Sequence, residues 1–137
     1  MVKIIMGLKG SGKTKRLVEM VREAVALEHG DVVCIEKDKK LTYDIPYRAR
    51  LIDAAEYGIC SYELLKGFVS GLHAGNYDIT HIFIDNFLKL VGDKSMEGID
   101  AFLDWLDAFS EKQKVEVVIS LSADQSAADE RIKKHLI

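Results

Sequence analysis

Glycines 7, 10 and 12, Lys13 and Thr14 stand in the segment Gly7-Leu8-Lys9-Gly10-Ser11-Gly12-Lys13-Thr14, which fits the spacing G-x-x-x-x-G-K-[ST] at every fixed position. Each residue type has a physical reason to be there. Glycines let a backbone curl until successive N–H groups converge on one point, which suits a phosphate. A lysine at the end of such a loop reaches the outer phosphates of a nucleotide, and the neighbouring threonine hydroxyl is a hard ligand for Mg²⁺. The expected phosphate-binding set is therefore Gly7, Leu8, Lys9, Gly10, Ser11, Gly12, Lys13, Thr14 and Lys15, with Lys13 also acting on the outer phosphates. Two other readings compete. A purely structural glycine turn needs neither Lys13 nor Thr14. A dinucleotide fingerprint, G-x-G-x-x-G counted from Gly10, requires glycine at position 15, where the chain has Lys15, so it fails.

The motif requires a strand before it and a helix after it. Val2 to Met6 is an apolar run that reads as a strand, and Leu17, Met20, Val21, Ala24 and Val25 recur at helical spacing, with Gly30 as the expected C-terminal cap. A helix starting at the loop adds partial positive charge there. Further on, Asp31 to Glu36 reads as a short buried strand, Lys37 to Lys40 as a solvated turn, and Leu51-Ile52 as a short edge strand. Ser61 caps a helix whose apolar face is Leu64, Leu65, Phe68, Val69 and Leu72, ended by Gly75 and Asn76. His81 to Asp85 is a strand, Ile99 to Phe109 an amphipathic helix and Val115 to Leu121 a strand. Ser126 with Asp129 is expected to form a capping box for a basic terminal helix. Strands alternating with helices predict an α/β fold, a three-layer sandwich around a mostly parallel sheet.

Parallel sheets bind ligands at the C-terminal ends of their strands. Asp85 closes the apolar stretch Ile82-Phe83-Ile84, which is the Walker B shape. It is expected to share a Mg²⁺ ion with Thr14, since Mg²⁺ takes a hydroxyl, a carboxylate, phosphate oxygens and waters.

Bulk composition narrows the function class. With 137 residues, 48% of them hydrophobic and 30% charged, the chain is read as one domain, 1–137, of the soluble globular type. No apolar run approaches the ~20 residues that cross a bilayer, and the first residues lack a signal-peptide layout, so a cytoplasmic location and no membrane partner are expected. A net charge of −3 gives no global reason to expect nucleic acid. Cys34 and Cys60 lack C-x-x-C spacing and are expected to be buried, reduced thiols.

Through residues 7–14 and 81–85 the chain resembles the P-loop NTPases, and the strand–helix alternation extends the likeness over nearly its whole length. Asn86, rather than glutamate, follows Asp85, which is similar to the RecA-like branch. That resemblance implies a catalytic glutamate at the end of the strand after the loop helix, here Glu36, and a polar sensor corresponding to Ser120, Ser122 or Gln125. It also implies a strand order with 115–121 between 2–6 and 80–85, and 31–36 beyond the latter. The chain departs from recombinases and hexameric helicases in being much shorter and in lacking their DNA-contacting loops. No guanine-reading N-K-x-D motif is evident, so ATP is the expected nucleotide. The aspartate- and histidine-rich boxes of twitching-motility motors are also missing.

Three functions fit these residues. The first is Mg-dependent ATP binding with slow hydrolysis, Glu36 orienting water, with an arginine such as Arg48, Arg50 or Arg131 supplied from a neighbouring copy. The second is a small-molecule kinase, for which Lys37 to Arg50, including Tyr43, Tyr47, Arg48 and Arg50, would form a flap; the same stretch also reads as a plain crossover loop. The third is a non-hydrolysing nucleotide sensor that binds a protein partner. Trp105 would be the contact anchor if exposed, against its reading as a core or half-buried residue.

Overall fold

The computed structural model describes residues 1–27, 29–37 and 44–137. Within them, strands Val2–Gly7 (β1), Asp31–Glu36 (β2), Arg50–Asp53 (β3), Ile79–Ile84 (β4) and Glu116–Ser122 (β5) form one sheet in the order β1-β5-β4-β2-β3. Every pairing in it is parallel. β5 thus lies between β1 and β4, β2 lies on the far side of β4, and β3 is an edge strand at Leu51-Ile52, as the sequence predicts.

Side chains alternate across the pleat, and the two faces bury different helices. Ile5, Val32, Cys34, Phe83 and Val118 pack against Leu17, Val18, Val21 and Ala24 of helix α1, Lys13–Ala26. Ile4, Met6, Val33, Ile35, Ile82, Ile84, Val117 and Ile119 face the opposite way. They meet helices α2 (Tyr62–Gly75), α3 (Phe87–Val91), α4 (Ile99–Gln113) and α5 (Glu130–Lys133). The result is an α/β fold with helices on both faces of a five-stranded sheet. No helix among the described residues is long and apolar enough to cross a membrane.

Several local expectations change. Gly30 is not the cap of α1, which ends at Ala26 with Leu27 still right-handed and bonded back to Glu23 and Ala24. Gly30 is instead required by close approach: a Cβ there would lie 2.5 Å from the Asp78 carbonyl and from Thr80 Cγ2. Ser126 and Asp129 form no capping box. Asp129 is extended and caps α5 itself, accepting from the Ile132 N–H at 3.0 Å, while Ser126 belongs to a separate 3-10 turn, Gln125–Ala127, capped by Asp124. The apolar stripe of α2 is narrower than its sequence suggests: Leu65 and Val69 are fully buried, but Leu64 is 51% exposed. Ser61 does cap that helix, its Oγ accepting from the Leu64 N–H at 3.2 Å. Trp105 is half-buried and stacked on Phe109 with ring centroids 5.4 Å apart, so it is packed rather than presented. Cys34 is buried as expected, but Cys60 is exposed. Most of the turn expected at Lys37 to Lys40, and Tyr43 of the expected flap, lie outside the described residues.

Candidate functional site

The glycine loop begins where β1 ends. Gly10 and Gly12 have φ of 84° and 87°, left-handed values that a side chain would resist. The Ser11 N–H donates to the Leu8 carbonyl at 3.1 Å, closing the bend. Gly12 then caps α1 without a side-chain hydrogen bond, and the first turn carries no acidic residue. The open N–H groups and the positive end of the helix therefore face the loop uncompensated. Lys13 is largely buried and folds back across the bend, its Nζ donating to the Leu8 carbonyl at 2.8 Å.

The carboxylate arrives from β4. Asp85 follows the last strand residue, and its N–H donates to the Ile35 carbonyl of β2 at 2.9 Å. Asp85 is 6% exposed. Thr14 Oγ1 lies 3.2 Å and 3.4 Å from the two carboxylate oxygens, and Ser120 Oγ of β5 donates to Oδ1 at 2.7 Å. Ser120 reaches Asp85 because β5 is the neighbour of β4 and because Ser120 shares the α1 face with Val118. No cation among the described residues pairs with this carboxylate. Two hydroxyls are modest compensation for a desolvated charge, so the position favours a cation. Its donors are hard oxygens, one carboxylate and one hydroxyl, which is what Mg²⁺ accepts when phosphate and water complete its shell. The described residues contain no group of three or more His, Cys, Asp or Glu able to hold a metal on their own. The residues present fit Mg²⁺ bound together with a phosphate.

Asn86 turns the chain after Asp85 in a left-handed conformation, φ 51° and ψ 50°. Asparagine tolerates that region better than most residues. Ser120 Oγ accepts from the Asn86 N–H at 2.9 Å, and Ser122 Oγ donates to the Asn86 side-chain Oδ1 at 3.2 Å. Glycine loop, Asp85, Asn86 and Ser122 together enclose a cavity of about 430 Å³, within the ~300–1,000 Å³ range of small-ligand sites. Lys9, Lys13 and Lys15 line it against a single aspartate, so its walls carry excess positive charge and suit a polyanion.

Other predicted site residues lie elsewhere. Glu36 ends β2, next to β4, and is 2% exposed. It shares the α1 face with Cys34 but does not line the loop cavity. The Cys34 thiol registers both acids: burial pushes its pKa up, and the charges of Glu36 and Asp85 push it further. Arg131 bonds Asp104 at 3.1 Å. Arg48 and Arg50 line a separate cavity of about 630 Å³ beneath residues 45–56, which shares no lining residue with the loop cavity. Of the three candidate sensors, Gln125 is committed elsewhere, its Nε2 donating to the Met6 carbonyl at 3.0 Å, while Ser120 and Ser122 hold Asp85 and Asn86. The Ser120 bridge and the conformation of Asn86 are the parts of the site that the motif did not specify. A lone serine inside the apolar run Val117 to Leu121 was the available signal.

Compared with protein-family models, the chain has no match, and it matches none of the curated proteins.

Proposed function

We propose that this protein binds ATP together with Mg²⁺ and hydrolyses it slowly, as a small member of the RecA-like branch of the P-loop NTPases. The observation that carries the reading is the contact of Thr14 Oγ1 with the Asp85 carboxylate, 3.2 Å apart in the wall of a lysine-lined cavity. The strand order β1-β5-β4-β2-β3 supports the RecA-like assignment, because β5 separates the loop strand from the aspartate strand. The α1 N-terminus and the loop N–H groups bind phosphate oxygens. Lys13 exchanges the Leu8 carbonyl for the outer phosphates, where its charge stabilises negative charge building up in the transition state. Thr14 and Asp85 would hold Mg²⁺, which would supply positive charge to offset the negative charge of the phosphates.

Glu36 is the proposed base, at the strand tip beside Asp85. Glu36 is not among the residues lining the loop cavity, which supports slow turnover, as does the lack of an arginine among the described residues of that wall. An arginine from a second copy would raise the rate, which then depends on protein concentration. A cytoplasmic site of action belongs to the same proposal. The lack of a glutamate or an arginine among the described residues of the cavity wall also favours a second reading, a nucleotide sensor that binds without turnover. A kinase has less support, because the cavity beside Arg48 and Arg50 is separate from the loop.

The test is calorimetry with a nucleotide panel, with and without Mg²⁺, followed by phosphate release. Binding of ATP strengthened by Mg²⁺ and lost in Lys13→Ala is the expected result. Unchanged ATP affinity in Lys13→Ala refutes the loop assignment. Turnover in wild type but not in Glu36→Gln, with binding retained, supports hydrolysis through Glu36. Binding with no phosphate release at any protein concentration selects the sensor.

A further inference from the structure

We infer that Asn86 reads the terminal phosphate of the bound nucleotide, a role that rests on the ATP reading above. Asn86 is one of three described non-glycine residues with positive φ, and the only one of them that lines the loop cavity. Its conformation is held from both ends: the N–H by Ser120 Oγ at 2.9 Å, the side-chain Oδ1 by Ser122 Oγ at 3.2 Å. With Oδ1 engaged, the hydrogen-bonding group that the carboxamide has left is the Nδ2 donor. Ser120 also donates to Asp85, so the Asn86 backbone N–H and the carboxylate share one hydroxyl, while Ser122 orients the carboxamide.

A residue kept in a disfavoured conformation by its surroundings marks a place where position matters. The chemistry here is specific. An amide N–H₂ donates to a phosphate oxygen without adding charge, whereas a glutamate at the same position would repel it. Asn86 follows Asp85 and lines the loop cavity together with Lys13 and Thr14, the residues that would meet the outer phosphates. In ATP the outermost phosphate is the γ-phosphate, which ADP lacks. The same two residues, Asn86 and Ser122, also wall a neighbouring cavity of about 350 Å³ formed with Leu88 and residues 92–94. Asn86 is therefore the partition between the phosphate site and the surface next to it.

Asn86→Gly tests this cleanly. Glycine accepts φ 51° without cost, so the backbone and its bond to Ser120 are kept while the carboxamide is removed. Titrations use Mg²⁺ with ADP and with a β,γ-imido analogue of ATP, alongside thermal melts. The expected result is a fall of about tenfold or more in affinity for the analogue, the scale of one hydrogen bond to a charged group. ADP affinity should stay within about twofold and the melting temperature should be retained. Ser122→Ala, which frees the amide but leaves it present, should give a smaller loss of the same kind. If Asn86→Gly keeps the wild-type ratio of the two affinities, or lowers both equally, the inference is overturned while ATP binding stands. If the wild-type protein binds neither nucleotide, the functional reading itself has failed.

Discussion

Replacing Asp85 by asparagine separates the fold from the site, because the two respond in opposite directions. Asp85 is 6% exposed and its carboxylate is met by two hydroxyls, Thr14 and Ser120. Removing a buried charge relieves a penalty of several kcal/mol. Against this, hydrogen bonds to a charged acceptor contribute ~1.5–3 kcal/mol and neutral ones ~0.5–1.5 kcal/mol, so two weakened bonds return roughly 2–3 kcal/mol. Asparagine keeps an oxygen for Ser120 and offers an N–H₂ to Thr14, so neither hydroxyl is orphaned. The net expectation, without nucleotide, is a variant as stable as wild type or more stable by about 1 kcal/mol, a rise of roughly 3–5 °C in Tm. The Mg²⁺ effect should move the other way. The ratio of ATP affinities with and without Mg²⁺ should collapse by tenfold or more, about 1.4 kcal/mol. Urea unfolding in EDTA measures the first quantity and calorimetry the second. Destabilisation beyond about 2 kcal/mol with an unchanged Mg²⁺ ratio would refute the reasoning, since Asp85 would then be a structural anchor.

Three further outcomes are expected. Leu65→Ala should cost ~2–5 kcal/mol, as for a buried core leucine, whereas Leu64→Ala, one position away but 51% exposed, should stay within ~0.5 kcal/mol; equal losses in urea melts would contradict the burial. A thiol reagent should titrate one cysteine per native chain, the exposed Cys60, and two after denaturation; Cys34 is buried, and burial together with Glu36 and Asp85 holds it protonated. The third outcome concerns acid stability. Burial alone would raise the Asp93 carboxyl, but hydrogen bonds from Tyr62 Oη, the Gly98 N–H and Ser95 Oγ outweigh it and hold the pKa below the ordinary value. A lowered carboxylate stabilises the fold above its unfolded pKa, ~3.9, and that stability is lost as pH falls through the folded value. Tyr62→Phe should therefore flatten the acid limb of a stability–pH curve below about pH 4, and an unaltered limb would show that Asp93 does not draw on that bond.

The fold was legible where one period dominated. β-branched runs such as Val32 to Ile35 and Val115 to Leu121 have no helical alternative of adequate length, and the alternation with helices left a parallel sheet as the economical solution. Leu64 misled because helical spacing marks a stripe but not its width; the partner surface of α2 covers Leu65 and Val69 and stops there. Ser126 and Asp129 matched a capping pattern that the backbone breaks at Asp129. At the site, the loop was readable because its chemistry is local, and the approach of Asp85 to Thr14 followed from the rule that parallel strands gather ligands at their C-terminal ends. The bond from Ser120 to Asp85 could not be read from spacing, since the two residues are 35 positions apart and meet only through strand pairing. The left-handed turn at Asn86 depends on those same tertiary bonds.

Ser120 is the one polar residue among Val117, Val118, Ile119 and Leu121, and pleating alone decides which side of the sheet receives it. Slip that strand by a single residue and the hydroxyl emerges among the aliphatic side chains of the far layer, while an isoleucine or leucine confronts the aspartate. The strands that carry loop and acid, about two interstrand spacings or ~9–10 Å apart, would keep their places while Asp85 and the Asn86 N–H lost their shared hydroxyl. Insertions or deletions in the turn at Lys114 should thus disable nucleotide binding more severely than substitutions in that turn.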